Sequence, residues 1–144
     1  MLSINIICVG NLKESYLREA AVEYIKRLSR FCKLNIIEIP ESTLIKEKQE
    51  ILKYADGYIF SLCVEGTEMS SEFFAEKIEE ISMNSSKISF IIGSSEGLDS
   101  QVKQTSDFKL SFSKFTYPHQ LMRIILLEQI YRAFTINNNA KYHK

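Results

Sequence analysis

Apolar and polar positions along this chain switch repeatedly between two periods. Ile4 to Val9 is a short apolar run rich in β-branched residues and ended by Gly10, which predicts a buried strand. From Ser15 to Arg30 the apolar positions Leu17, Ala20, Ala21, Tyr24, Ile25 and Leu28 recur at helical spacing. Leu34 to Ile39 predicts a second strand, closed by Pro40. A polar helix is predicted over Thr43 to Ala55, with Asp56-Gly57 as its stop. Tyr58 to Val64 predicts a third strand, ending at Glu65-Gly66. The next helix is capped by Ser70 or Ser71 and carries Phe74, Ile78 and Ile81 on one stripe. Ile88 to Ile92 predicts a fourth strand, followed by the loop Gly93-Ser94-Ser95-Glu96-Gly97. A short helix over Asp99 to Gln104, a fifth strand over Phe108 to Phe112, the loop Ser113 to Pro118 and a long helix from about His119 to Ile136 follow.

Strands alternating with helices define an α/β domain with a mostly parallel sheet of five to six strands flanked by helices. No internal repeat divides the chain, so residues 1–144 read as one domain. The last helix is apolar around most of its circumference, through Leu121, Met122, Ile124, Ile125, Leu126, Leu127, Ile130, Tyr131 and Phe134. Such a helix needs cover on two sides. Two arrangements supply it: a second subunit docked on the C-terminal helix, giving a homodimer, or a central position in the core.

Composition narrows the class. The chain is 45% hydrophobic and 25% charged, near the average for globular domains, and its 144 residues suffice for one core. No apolar run approaches the roughly 20 residues of a membrane helix. The N-terminal MLSINIICVG lacks basic residues before its apolar ones, so it does not read as an export signal, and the expected address is the cytoplasm. Cys8, Cys32 and Cys63 form no CxxC pair, and the expectation is reduced, buried core cysteines. His119 and His143 have no ligand spacing to a cysteine, so no metal site is expected.

In open parallel sheets, ligands bind beyond the carboxyl ends of the strands. Those ends are Gly10, Val64-Glu65-Gly66, Gly93 to Gly97 and Ser113 to Pro118, and three of the five glycines fall in the two loops after strands three and four. The loop after strand four also matches a nucleophile elbow, Gly93-x-Ser95-x-Gly97, with Asp107 and His119 following in the hydrolase order. A small serine hydrolase using Ser95 is therefore one reading. Against it, the chain is short for that fold and has no HGGG-type oxyanion loop, so Ser94 and Ser95 read better as loop hydroxyls. A non-catalytic dimeric binding module is another reading, motivated by the apolar last helix.

The segments VGNLKESY, YIKRL, IIEIP, IIGSSEGL, LSFSKFTYPHQLMRIILLEQIYRAF and the terminal YHK resemble, in order and from end to end, the large-subunit ribosomal RNA methyltransferase H family of the SPOUT superfamily. The resemblance implies a C-terminal trefoil knot. It also implies transfer of a methyl group from S-adenosylmethionine to N3 of a pseudouridine in the helix 69 loop of 23S ribosomal RNA, by a homodimer acting on the assembled ribosome. Carried over by position, the family's cofactor pocket falls on Leu62, on Gly93 and on Phe112, Ser113, Lys114, Phe115, Thr116 and Tyr117. These are the strand ends already singled out. Leu62 and Phe115 are expected as apolar walls, and Phe112 or Phe115 equally suits core packing.

Two departures stand out. The family's second glycine after strand four is Ser94 here, which would strain the loop if that position required a positive φ. The stretch after Pro40 is shorter than the family pattern. The chemistry needs placement of the methyl group against N3 and loss of the N3 proton. Tyr142 and His143 are the expected catalytic candidates, with Arg123 and His119 as candidate substrate contacts, and the residues do not select one base.

Charge bears on the substrate. The chain is neutral overall, but residues 1–37 balance at +3, residues 38–102 at −8 and residues 103–144 at +5. If the two ends meet on one face, a neutral protein presents a basic footprint to RNA. Scatter over solvated helices is the other reading.

Overall fold

The strand-forming runs all find parallel partners. In the computed structural model, which describes residues 1–144, five strands form one sheet: β1 (Ser3–Val9), β2 (Lys33–Ile39), β3 (Tyr58–Thr67), β4 (Lys87–Ile92) and β5 (Phe108–Leu110). Their order is β2-β1-β4-β3-β5, and every neighbouring pair is parallel. Parallel pairing forces crossover connections. These are α1 (Ser15–Leu28), α2 (Leu44–Tyr54), α3 (Ser71–Asn84) and α4 (Ser100–Thr105), and α5 (His119–Asn137) closes the chain.

The period-two alternation of the strands sorts the core into two layers. Ile4, Ile6 and Cys8 of β1 face one way with Ile88, Phe90 and Ile92 of β4, toward α1, α3 and α5. Ile7, Val9 and Ile91 face the other way, against Ile51 of α2 and Val102 of α4. The Phe60 and Phe90 rings stack across adjacent strands with centroids 4.7 Å apart, and Phe74 meets both from α3. Helix starts are fixed by side-chain caps. Thr43 accepts from the Lys46 amide, Ser70 from Phe73 and Asp99 from Gln101, each worth about 1 kcal/mol.

Helix α5 lies between α1 and α3 on one sheet face. Its Phe134 stacks on Phe31, and its Tyr131 meets Tyr24. Of the two arrangements expected for this helix, the central core position covers most of its apolar surface within one protomer. Leu121 stays exposed, and Met122 and Ile125 are half-buried.

Strand β5 is shorter than predicted because its partner slips register. Leu110 lies opposite both Leu62 and Thr67 of β3, so residues 63–66 loop out past its end. The chain then leaves the sheet, with the Ser111 amide donating to the Thr67 carbonyl and the Ser111 hydroxyl to the Ser113 carbonyl. Phe112 is thus in the loop, not in the strand. No sixth strand forms.

Candidate functional site

Adjacent strands β3 and β4 send their chains to opposite faces of the sheet, β3 into α3 and β4 into α4. The divergence opens a crevice at their carboxyl ends, the position where open α/β sheets bind ligands. A cavity of about 540 Å³ fills it, within the range of roughly 300–1,000 Å³ for small-molecule sites. Leu62 to Glu65 of β3 form one wall and Ile92 to Ser95, Gly97 and Leu98 a second. Thr116, Tyr117, Pro118, His119 and Met122 close it from the last loop and α5.

The 93–97 loop is held in shape by its own backbone. The Gly97 amide donates to the Ser94 carbonyl at 2.9 Å, and the Glu96 amide to the Ser94 hydroxyl at 3.3 Å. The positive φ of this loop, +83°, falls on Gly97, and Asn139 is the only non-glycine residue with positive φ. Serine at position 94 is therefore unstrained, and the expected penalty does not arise. Ser94 is buried and braces the turn. At Gly93 the requirement is steric, since a Cβ there would lie 2.4 Å from the Gly97 carbonyl oxygen.

Of the expected cofactor residues, Leu62, Gly93, Thr116 and Tyr117 line this cavity. Phe112, Ser113 and Phe115 border a narrow space of about 10 Å³ beside it, together with Leu62 and Met122. Lys114 lines neither. Phe112 packs against the main core, whereas Phe115 is 78% exposed, so core packing explains the first ring and not the second. The 112–117 loop is pinned by the Phe115 amide donating to the Ser113 hydroxyl at 2.9 Å.

The structure adds cavity residues that the strand-end argument missed. Cys63 is half-exposed on the cavity wall, not a buried core thiol as expected, while Cys8 and Cys32 are buried. Its looped-out position past the end of β5 breaks the alternation that would have buried it. Lys103 of α4 reaches Glu65 at 2.5 Å along the same wall, and that bond holds the Glu65 carboxyl below its usual range. Nothing in the local sequence pairs these two residues, because they meet only when α4 folds back over β3.

His119 opens α5 and lines the cavity, with its Nε2 buried and unbonded 3.8 Å from Glu41. Arg123 sits one turn on and does not line the cavity. Its side chain is almost fully buried, donating to Glu38 at 2.7 Å and to the Gly10 carbonyl at 3.0 Å. It ties the ends of β1 and β2 to α5. Tyr142 and His143 also lie outside the cavity. Tyr142 donates to Glu128 at 2.7 Å, and His143 sits between Arg132 of α5 and Glu72 of α3.

The hydrolase constellation does not assemble. Ser95 follows the carboxyl end of β4, while Asp107 precedes β5, at the amino-terminal end of the parallel strands, and accepts from the Ile59 amide. No helix is long and apolar enough to cross a membrane.

The family model described as Predicted SPOUT methyltransferase matches residues 2–143. A Fusobacterium nucleatum protein named ribosomal RNA large subunit methyltransferase H is 46% identical, over 99% of this chain and 100% of its own. A Methanococcus maripaludis protein given that name provisionally is 50% identical over the same shares. The chain belongs to the ribosomal RNA large subunit methyltransferase H family. The alignment with the Methanococcus protein spans 159 positions against 144 residues here, so that relative carries residues this methyltransferase-family chain lacks within the matched span. A solved structure of a probable methylase family protein from Haemophilus influenzae shares the fold, with a TM-score of 0.60 over 98% of this chain and 70% of that one, at 13% identity. Membership in this SPOUT family implies the C-terminal trefoil knot, a threading that general folding rules would not propose.

Proposed function

We propose that this protein transfers the methyl group of S-adenosylmethionine to N3 of a pseudouridine in the helix 69 loop of 23S ribosomal RNA, as a homodimer on the assembled ribosome. The observation that carries the reading is the cavity at the diverging ends of β3 and β4, which holds Leu62, Gly93, Thr116 and Tyr117 together. The names of the relatives support ribosomal RNA as the substrate.

The residues present fit the cofactor. Leu62, Ile92, Leu98 and Met122 offer apolar surface for an adenine ring, and the tight Gly93 turn lets main chain line the cavity. Glu65 and Lys103 place opposite charges on its wall, a match for the amino and carboxylate groups of a methionyl tail. When bound, the cofactor supplies a methyl group on a positively charged sulfur. The chain's own task is orientation, which removes several kcal/mol from such a barrier, and management of the N3 proton.

Tyr142 suits that task as a hydrogen-bond donor and not as a base. Burial, and then its bond to Glu128, push its hydroxyl up to about 12, so it stays protonated at neutral pH. His143 is the remaining member of the pair able to take a proton. Neither lines the cavity of its own protomer, and Phe115 and Val64 expose apolar surface at or beside that cavity. Both observations support a homodimer in which subunits complete each other's sites.

The test is transfer of labelled methyl groups to assembled ribosomes, with free 23S RNA as comparison. Methylation of the ribosomes at one pseudouridine is expected. Saturable cofactor binding without transfer to either RNA would sink the substrate assignment, and no cofactor binding would sink the whole reading.

A further inference from the structure

The geometry points to Glu72 as a positioning residue that decides which nitrogen of His143 is basic, an inference that rests on the methyltransferase reading. His143 is clamped between two helices. Arg132 of α5 lies 3.0 Å from Nδ1, and Glu72 of α3 touches Nε2. A guanidinium has only donors, so Nδ1 must accept and carries no proton in this arrangement. An ionised carboxylate has only acceptors, so Nε2 must donate. The ring is therefore the neutral Nε2–H tautomer, fixed by partners on both sides.

This arrangement has the logic of a carboxylate that orients a histidine base from behind. Glu72 holds the Nε2 proton, which leaves the Nδ1 lone pair as the proton acceptor. In the free protein the Arg132 N–H occupies the place at Nδ1 that an imide N–H would take. In the reaction the N3 proton passes to Nδ1 while N3 bonds the methyl carbon. The electrons of the broken S–C bond stay on sulfur, leaving a neutral thioether, and the imidazolium formed is stabilised by Glu72.

The clamp is part of a larger network that ties the tail to the second cavity, of about 200 Å³. Glu128 accepts from Tyr142, Arg132 and Gln129. Gln129 accepts in turn from Ser71, the neighbour of Glu72, and both line that cavity. Phe112 and Tyr117 line it too, and Tyr117 lines the cofactor cavity as well. The two cavities thus adjoin at Tyr117, and the tail is hydrogen-bonded, through Glu128 and Gln129, to the wall of the second.

The chain's two histidines make the test direct. In full-length protein labelled with 15N-histidine, His143 should show Nδ1 unprotonated and Nε2 protonated, with His143→Ala assigning its signals. Because Arg132 alone also favours an accepting Nδ1, the tautomer variants are made in an Arg132→Met background. Arg132→Met should keep the tautomer through Glu72. Adding Glu72→Ala should convert these to averaged tautomer signals, and adding Glu72→Gln, whose amide oxygen still accepts, should keep the tautomer. Transfer to ribosomes should fall about tenfold in kcat for Glu72→Ala, the scale of a lost charge-assisted hydrogen bond. KM for the cofactor should stay within about twofold, and Glu72→Gln should recover part of kcat. A proton on Nδ1 in the wild type, an unchanged tautomer when Glu72→Ala is added to Arg132→Met, or an unchanged kcat in Glu72→Ala would each overturn the assignment. If the wild type transfers no methyl group, the activity reading fails instead, and the tautomer measurement still judges the clamp.

Discussion

The carbonyl oxygen of Gly97 lies 2.4 Å from the point where a side chain at Gly93 would begin. The obstacle is backbone and cannot rotate away. Gly93→Ala must therefore push the 93–97 turn outward, at a cost of roughly 1–3 kcal/mol. Urea unfolding should register that loss, and calorimetric titration should show cofactor affinity lowered about tenfold or more. Unchanged affinity in a folded variant would detach Gly93 from the site.

Arg123 and Glu38 form an ion pair with unequal burial, 4% and 44% side-chain exposure. Removing Glu38 leaves a positive charge buried without its carboxylate, whereas removing Arg123 leaves a carboxylate that can turn to water. Glu38→Ala should cost about 2–3 kcal/mol. Arg123→Met, which keeps the packing volume, should cost less, and adding it to Glu38→Ala should restore stability. Denaturant midpoints of the three variants check this order, and a double variant weaker than both singles would contradict it.

Cys63 is the one thiol on the cavity wall. Burial, with Glu65 nearby, raises its pKa, so alkylation should be slow near neutrality and quicken in mildly alkaline buffer. Cys8 and Cys32 are pushed up to about 12 by burial and should stay unlabelled in the native state. Mass-spectrometric mapping should find label on Cys63 alone, slowed by S-adenosylhomocysteine. Equal labelling with and without that ligand would place the cofactor elsewhere.

Tyr142 is raised in the folded state from 10.0 to about 12. The stability linked to it is fully present below pH 10 and is lost as pH rises from about 10 to 12. Thermal melts should therefore show the wild type falling faster than Tyr142→Phe over that window, and the two tracking each other below it. Parallel curves throughout would mean that neither the burial of the Tyr142 hydroxyl nor its Glu128 bond persists in solution. Methyl transfer should show no inflection from a tyrosinate below about pH 11.

Much of the secondary structure was legible in the sequence because it is a local property. β-branched runs ended at Gly10 and Pro40, and Thr43, Ser70 and Asp99 cap helices at or next to the predicted starts. The strand ends also marked a cavity, which Leu62, Gly93, Thr116 and Tyr117 all line. The reach of β5 was misjudged because the slip of β3 past Leu110 depends on a partner strand.

What the sequence alone determined is the alternation of strands and helices, the family, and the loops that line the cavity. Each follows from short-range periodicity, turn residues or a matched string. Tertiary structure decided whatever depends on residues far apart in the chain. It set the order β2-β1-β4-β3-β5, the burial of α5 between α1 and α3, and the separation of Asp107 from Ser95 at opposite ends of the parallel strands. It also decided that Arg123 is buried at the end of β1, and that Glu72, 71 positions from His143, holds that ring. No periodicity records such meetings, because they arise only when crossover connections bring distant segments onto one face.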